Sequence, residues 1–122
     1  KLHKFVSEKI AADGHEYRTG VVYTTNRRLW EHDQEFLDRL KRNTCIAIDM
    51  ETATLFIVGH YNRISRGALL LVSDVPITPE GVKTEESDAK VTQEWSAIHL
   101  QIGIDAMTEI GVSGEAIRHF RY

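Results

Sequence analysis

Leu2, Phe5, Val6 and Ile10 recur at the three- and four-residue steps of one helical face, and Gly14 beyond them is a residue that ends helices. Over residues 18–25 the pattern changes to a strand, with Gly20-Val21-Val22-Tyr23 as its buried centre and Thr24-Thr25-Asn26 leading out of it. A second helix is predicted from Asp33, an N-cap residue type, with Phe36, Leu37 and Leu40 as its apolar stripe up to about Arg42. Cys45-Ile46-Ala47-Ile48 is a short apolar run suited to a strand covered on both faces. It passes through Asp49-Met50-Glu51 into an apolar helix from Thr52 to about Tyr61. Gly67 to Ser73 repeats the arrangement as a buried strand ending in Ser73-Asp74. Residues 75–87, with Pro76, Pro79 and Gly81 among charged positions, read as a long functional loop or lid. From about Asp88 to Ile110, Val91, Trp95, Ile98, Ile102 and Ala106 mark a long helix with Trp95 at a core position, and Gly111 is its expected stop.

This alternation of helix and strand predicts an α/β fold, a parallel or mixed sheet with helices packed on it. Three strands leave two edges, and two of these strands look buried on both faces, so more sheet is expected elsewhere. The chain opens at Lys1 with no lead-in, a further sign that it is a piece of something larger. Composition adds bounds. The 122 residues are 42% hydrophobic and 27% charged, enough for one domain with a core and no long disorder. The longest apolar run, Ala68 to Val72, is far below the ~20 residues of a membrane span, and no leader peptide is apparent. One cysteine excludes an internal disulfide, and a net charge of −3 argues against nucleic acid as a partner. A reduced, cytoplasmic chain is the expectation.

Ligands of open α/β sheets bind beyond the carboxyl ends of the strands. Those ends carry Thr24-Thr25-Asn26, Asp49-Met50-Glu51 and Ser73-Asp74, so polar groups including three carboxylates are expected on one rim. Asp49 and Asp74 are each either a site acid or a cap of the next turn or helix. Glu51 opens a largely apolar helix and is expected to be half-buried, in need of donors: sugar hydroxyls, a backbone cap or an arginine. The six histidines show no metal-ligand spacing, and Cys45 reads as a buried structural thiol. Glycine-rich phosphate loops of the dinucleotide or Walker type are absent. Arg27-Arg28 beside Trp30 fit either a phosphate with a stacked base or a solvated turn, and the basic tail from Arg118 to Tyr122 reads as a docked or frayed end.

Ile48-Asp49-Met50-Glu51-Thr52-Ala53, with Leu71-Val72-Ser73-Asp74 about twenty residues later, resembles the nucleoside phosphorylase and nucleosidase superfamily. The runs from Tyr23 to Glu31 and from Val75 to Asp88, and the tail from Ile117 to Tyr122, resemble more narrowly the bacterial AMP nucleosidases. The resemblance covers nearly the whole chain. It implies a three-layer fold with a mixed central sheet flanked by helices, of which residues 1–122 are the C-terminal half of the catalytic domain. It also implies hydrolysis of the N-glycosidic bond of AMP to adenine and ribose 5-phosphate, in purine metabolism. Carried over residue by residue, Glu51 would bond the ribose hydroxyls, Met50 would pack on the sugar, and Asp74, beside Ser73, would act at the purine N7. Trp30, with Tyr23 second, matches the aromatic that stacks on the base, and Lys83 or Lys90 the downstream basic residue. No covalently bound cofactor is implied; MgATP is implied as an allosteric activator and a homohexamer as the assembly. The family's phosphate loop and arginines have no counterpart in these residues.

Three other readings compete. A nucleoside phosphorylase shares Met50, Glu51 and Asp74 but uses phosphate as nucleophile. A receiver-like or phosphatase-like domain would hold Mg²⁺ on strand-end acids, yet lacks the strand-end lysine that such sites use. A non-catalytic fragment would bind none of the reactants.

Overall fold

The computed structural model describes residues 2–78 and 84–118, with side chains described as far as Val112. Pro79 to Lys83 and His119 to Tyr122 lie outside the described residues, and with them the middle of the expected loop, Lys83 and the end of the tail. The chain divides into two compact units, one made of Arg18–Arg66 and Val75–Val82, the other of Lys1–Tyr17, Gly67–Asp74 and Lys83–Tyr122.

The first unit is built on two parallel strands, β1 (Val21–Thr24) and β2 (Cys45–Asp49), paired Val22 to Ala47, Tyr23 to Ile48 and Thr24 to Asp49. Parallel neighbours need a crossover. A 3₁₀ turn (Trp30–His32) and helix α2 (Gln34–Arg42) provide it. Asp33 caps α2 as its residue type predicts, accepting from the Phe36 N–H at 3.0 Å, and its other oxygen meets Arg27 Nη2 at 2.6 Å. The stripe predicted for α2 is the packed one: Phe36 and Leu40 are buried, and the Phe36 ring meets Tyr23 edge-on at 5.3 Å. Thr44, at φ 51°, takes the left-handed conformation that closes α2 and donates its N–H to the Lys41 carbonyl, so only two residues separate α2 from β2.

β2 is not covered on both faces as its apolar run suggests: Ile46 is 50% exposed, and Cys45 is half-buried rather than a core thiol. Ile46 does lie against the backbone at Gly20, where a Cβ would come within 2.8 Å of its side chain. Helix α3 (Thr52–Tyr61) has the predicted bounds. It ends through Arg63 at φ 56°, with Ile64 N–H bonding the Gly59 carbonyl and Arg63 N–H that of His60. Its apolar surface is uncovered among the described residues, since Leu55, Ile57 and Val58 are all more than half exposed and only Gly59 is buried.

In the second unit, α1 (Leu2–Ala12) packs on α4 (Glu85–Arg118), and among the described residues Ile10, Ile102 and Ala106 are buried. Gly14, at φ 79°, closes α1 as expected. Four expectations change here. Residues 67–74 form no strand: their backbone pairs with no other strand among the described residues, and Leu70, Leu71 and Val72 stay substantially exposed. Helix α4 begins three residues earlier, because Thr84 and Ser87 exchange side chain-to-backbone hydrogen bonds that cap its first turn. It also runs through Gly111 to Arg118, since a lone glycine only weakens a helix by about 1 kcal/mol. Trp95 is not core but 46% exposed, about two turns before the buried Ile102 along α4. No described helix is long and apolar enough to cross a membrane.

Phe36 is the anchor of the first unit, so Phe36→Ala is expected to cost about 3–5 kcal/mol in denaturant unfolding, as buried aromatic truncations do; a loss below about 1 kcal/mol contradicts this packing. The Phe36 N–H lowers the Asp33 carboxyl below the ordinary aspartate range, slight desolvation opposes it, and Arg27 adds to the lowering. A depressed folded value stabilises above the unfolded one, near 3.9, and that contribution disappears as pH falls through the folded value. Asp33→Ala should therefore lower the thermal midpoint at pH 7, with the gap to the parent protein closing below about pH 4.

Candidate active site

The carboxyl ends of β1 and β2 lie side by side, as the parallel register requires, and are tied by side chains. Thr24 Oγ1 donates to Asp49 Oδ1 at 2.6 Å and accepts from the Ala53 N–H at 2.9 Å. Asp49 Oδ2 accepts from the Thr52 N–H at 2.7 Å and from the Thr52 hydroxyl. One further bond, from the Thr25 N–H to the Asp49 carbonyl at 2.9 Å, extends the ladder past Thr24. Burial raises the Asp49 carboxyl, but the Thr24 and Thr52 hydroxyls and the Thr52 and Glu51 N–H groups outweigh it and hold it below the usual range. Asp49 is therefore an ionised cap with both oxygens engaged, the capping alternative of the sequence reading.

Met50 and Glu51 form the short arch between these ties. Met50 is 45% exposed, and Glu51 is exposed rather than half-buried, because the flanks of α3 around it are themselves uncovered. Glu51 Oε2 accepts from the Met50 N–H at 3.2 Å, and Oε1 has no partner among the described residues. A carboxylate presented this way can accept from a ligand's hydroxyl groups. The start of α3, by contrast, is closed to anions. Thr52 and Ala53 N–H are taken by Asp49 and Thr24, and Thr54 and Leu55 N–H bond the Glu51 carbonyl.

Tyr23 and Trp30 gather on Phe36, Trp30 at 6.1 Å between ring centroids, and both are half-buried. Strand alternation puts Tyr23 on the α2 side, opposite to Thr24. Leu29, at φ 55°, sets the turn into Trp30. Arg27 is neither a phosphate ligand in waiting nor a loose turn residue: it pairs with Asp33 and stands 5.4 Å from the centre of the Phe36 ring. Arg28 is exposed.

Ser73 and Asp74 belong to the other unit, on the segment that forms no strand. Both are half-buried, and the Ser73 hydroxyl donates to Asp74 Oδ1, leaving Oδ2 without a partner among the described residues. Lys90 is exposed in the second turn of α4. Two of the three expected strand ends thus form a real rim, and the third is a half-buried Ser-Asp pair on irregular backbone. Sequence reasoning places Thr24 on the rim as a polar strand-end residue but misses its tie to Asp49 and Ala53. Its signal lay in the hydroxyl at the last position of a strand and in the Asp-x-x-Thr spacing of Asp49 and Thr52, which marks a helix cap.

The chain is 36% identical over 102 residues to the AMP nucleosidases of Escherichia coli K12 and O157:H7, an alignment covering 82% of this chain and 21% of each of those proteins. It is also similar to the crystal structure of AMP nucleosidase from Bacteroides thetaiotaomicron VPI-5482, with a TM-score of 0.67 and 38% identity over 92% of this chain and 40% of that one. The chain therefore spans about a fifth of the length of the Escherichia coli relatives and two fifths of the solved one. The description of the phosphorylase superfamily matches residues 1–109, which include the Met50-Glu51 arch and the Ser73-Asp74 pair. With its α/β architecture and these two polar features, the chain belongs to the phosphorylase superfamily.

Proposed function

We propose that the protein carrying this chain hydrolyses the N-glycosidic bond of AMP, releasing adenine and ribose 5-phosphate. The likeness to AMP nucleosidases over most of the chain carries the reading. Cleavage of this bond builds positive charge on the ribose and negative charge on the departing base, as in other oxocarbenium-like transition states. Glu51, with one oxygen free, accepts from the ribose hydroxyls and places an anion near the developing cation; Met50 packs on the sugar. Asp74, positioned by the Ser73 hydroxyl, delivers a proton or a hydrogen bond to the purine N7, so the base leaves without a full negative charge. Trp30, on its Phe36 support, stacks on the base, and Tyr23 lies behind it on the same ring.

In this reading residues 1–122 are the C-terminal half of the catalytic domain and supply the ribose and base contacts. The closed start of α3 agrees with a phosphate site outside these residues. The protein is a cytoplasmic homohexamer in purine nucleotide metabolism, with MgATP as an allosteric activator. Among the described residues, the helix start nearest the rim has no free N–H groups to offer a nucleotide's phosphates.

In phosphate-free buffer, the full-length protein is expected to release adenine from AMP at its full rate. Strict dependence on inorganic phosphate selects the nucleoside phosphorylase alternative instead. Asp74→Asn should lower kcat by about 10²–10⁴ while KM for AMP moves far less; near-full turnover in that variant removes Asp74 from the chemistry.

A further inference from the structure

The arch that presents Met50 and Glu51 is anchored at both ends through one hydroxyl. Thr24 Oγ1 has a single proton, which it gives to Asp49 at the entry of the arch, and it accepts the Ala53 N–H at the exit. Asp49 completes the loop by accepting the Thr52 N–H. Between these ties Met50 and Glu51 are exposed, and the one side-chain hydrogen bond within the arch, from the Met50 N–H to Glu51, is local. No packing surface among the described residues fixes their direction, so the hydrogen bonds must.

We propose that Thr24 is a positioning residue for ribose recognition, acting through Asp49 and the first turn of α3 to aim the Glu51 carboxylate. This rests on the reading that Glu51 binds the ribose hydroxyls. A valine at this position keeps the shape and β-branching but leaves the Ala53 N–H unpaired and removes one donor from Asp49. A serine keeps both bonds. Misplacement of a binding group by about 1 Å costs up to about 10²-fold, so the loss falls on whatever Glu51 recognises.

The test uses the full-length protein with AMP and 2′-deoxy-AMP as paired substrates. Thr24→Val is expected to lower kcat/KM for AMP by roughly 10- to 100-fold, mainly through KM, and 2′-deoxy-AMP much less, so that discrimination between the two shrinks. Thr24→Ser should restore the parent ratio, and Asp49→Asn, which conflicts with one of the Asp49 donors, should reproduce the valine effect even where Thr24→Val does not fold. Equal losses on both substrates, or an unchanged ratio, overturn the proposal. Hydrogen exchange in the peptide containing Ala53 gives a second readout that does not depend on activity. Faster exchange in Thr24→Val, reversed in Thr24→Ser, supports the anchor, and unchanged exchange overturns it. If the parent protein releases no adenine from AMP, the assigned reaction fails, and the anchor is then judged on exchange alone.

Discussion

The Thr24 hydroxyl joins three pieces of backbone that the chain order keeps apart: the end of β1, the end of β2 and the first turn of α3. Parallel pairing of β1 with β2 brings Thr24 opposite Asp49, and α2 makes that pairing sterically available. The rest of the rim depends on this contact. Asp49 stays ionised because two hydroxyls and two N–H groups outweigh its burial, and an ionised Asp49 is what can cap α3 while accepting from Thr24. The cap fixes where α3 starts, and hence which two residues, Met50 and Glu51, remain as the exposed arch.

The same contact divides labour among the acids. Asp49 is spent on structure, and Glu51 keeps an oxygen without a partner among the described residues. Asp74, in the other unit, keeps one too beside its serine. A glycosidic cleavage has two charges to manage, one on the sugar and one on the leaving base. Phosphorolysis and hydrolysis share the sugar and leaving-group chemistry and differ in the nucleophile.

Local signals were legible in the sequence wherever a residue's own chemistry decides the structure. Asp33 as a cap, Gly14 as a stop and the Phe36–Leu40 stripe are of this kind, as are the bounds of α3. What failed depended on neighbours. The apolar run before Ser73 has the composition of a strand, yet a strand exists only through a partner's hydrogen bonds, and the described residues offer none. Glu51 was expected to be half-buried and Trp95 to be core from apolar spacing alone, which records that a face is apolar but not what covers it. Gly111 did not end α4, since a stop needs a left-handed turn and not merely a glycine. The polar groups that follow each apolar run, Thr24 among them, stood out by type and place, whereas the tie of Thr24 to Asp49 and Ala53 became visible only when β1 and β2 were paired.

The central claim is that the Met50-Glu51 arch meets the sugar. A crystal structure of the full-length protein bound to ribose 5-phosphate and adenine tests it most directly. The account predicts a Glu51 carboxylate oxygen at hydrogen-bond distance, about 2.6–3.0 Å, from a ribose hydroxyl, with Thr24 still joined to Asp49. A ribose held by other residues, with Glu51 turned to solvent, contradicts it.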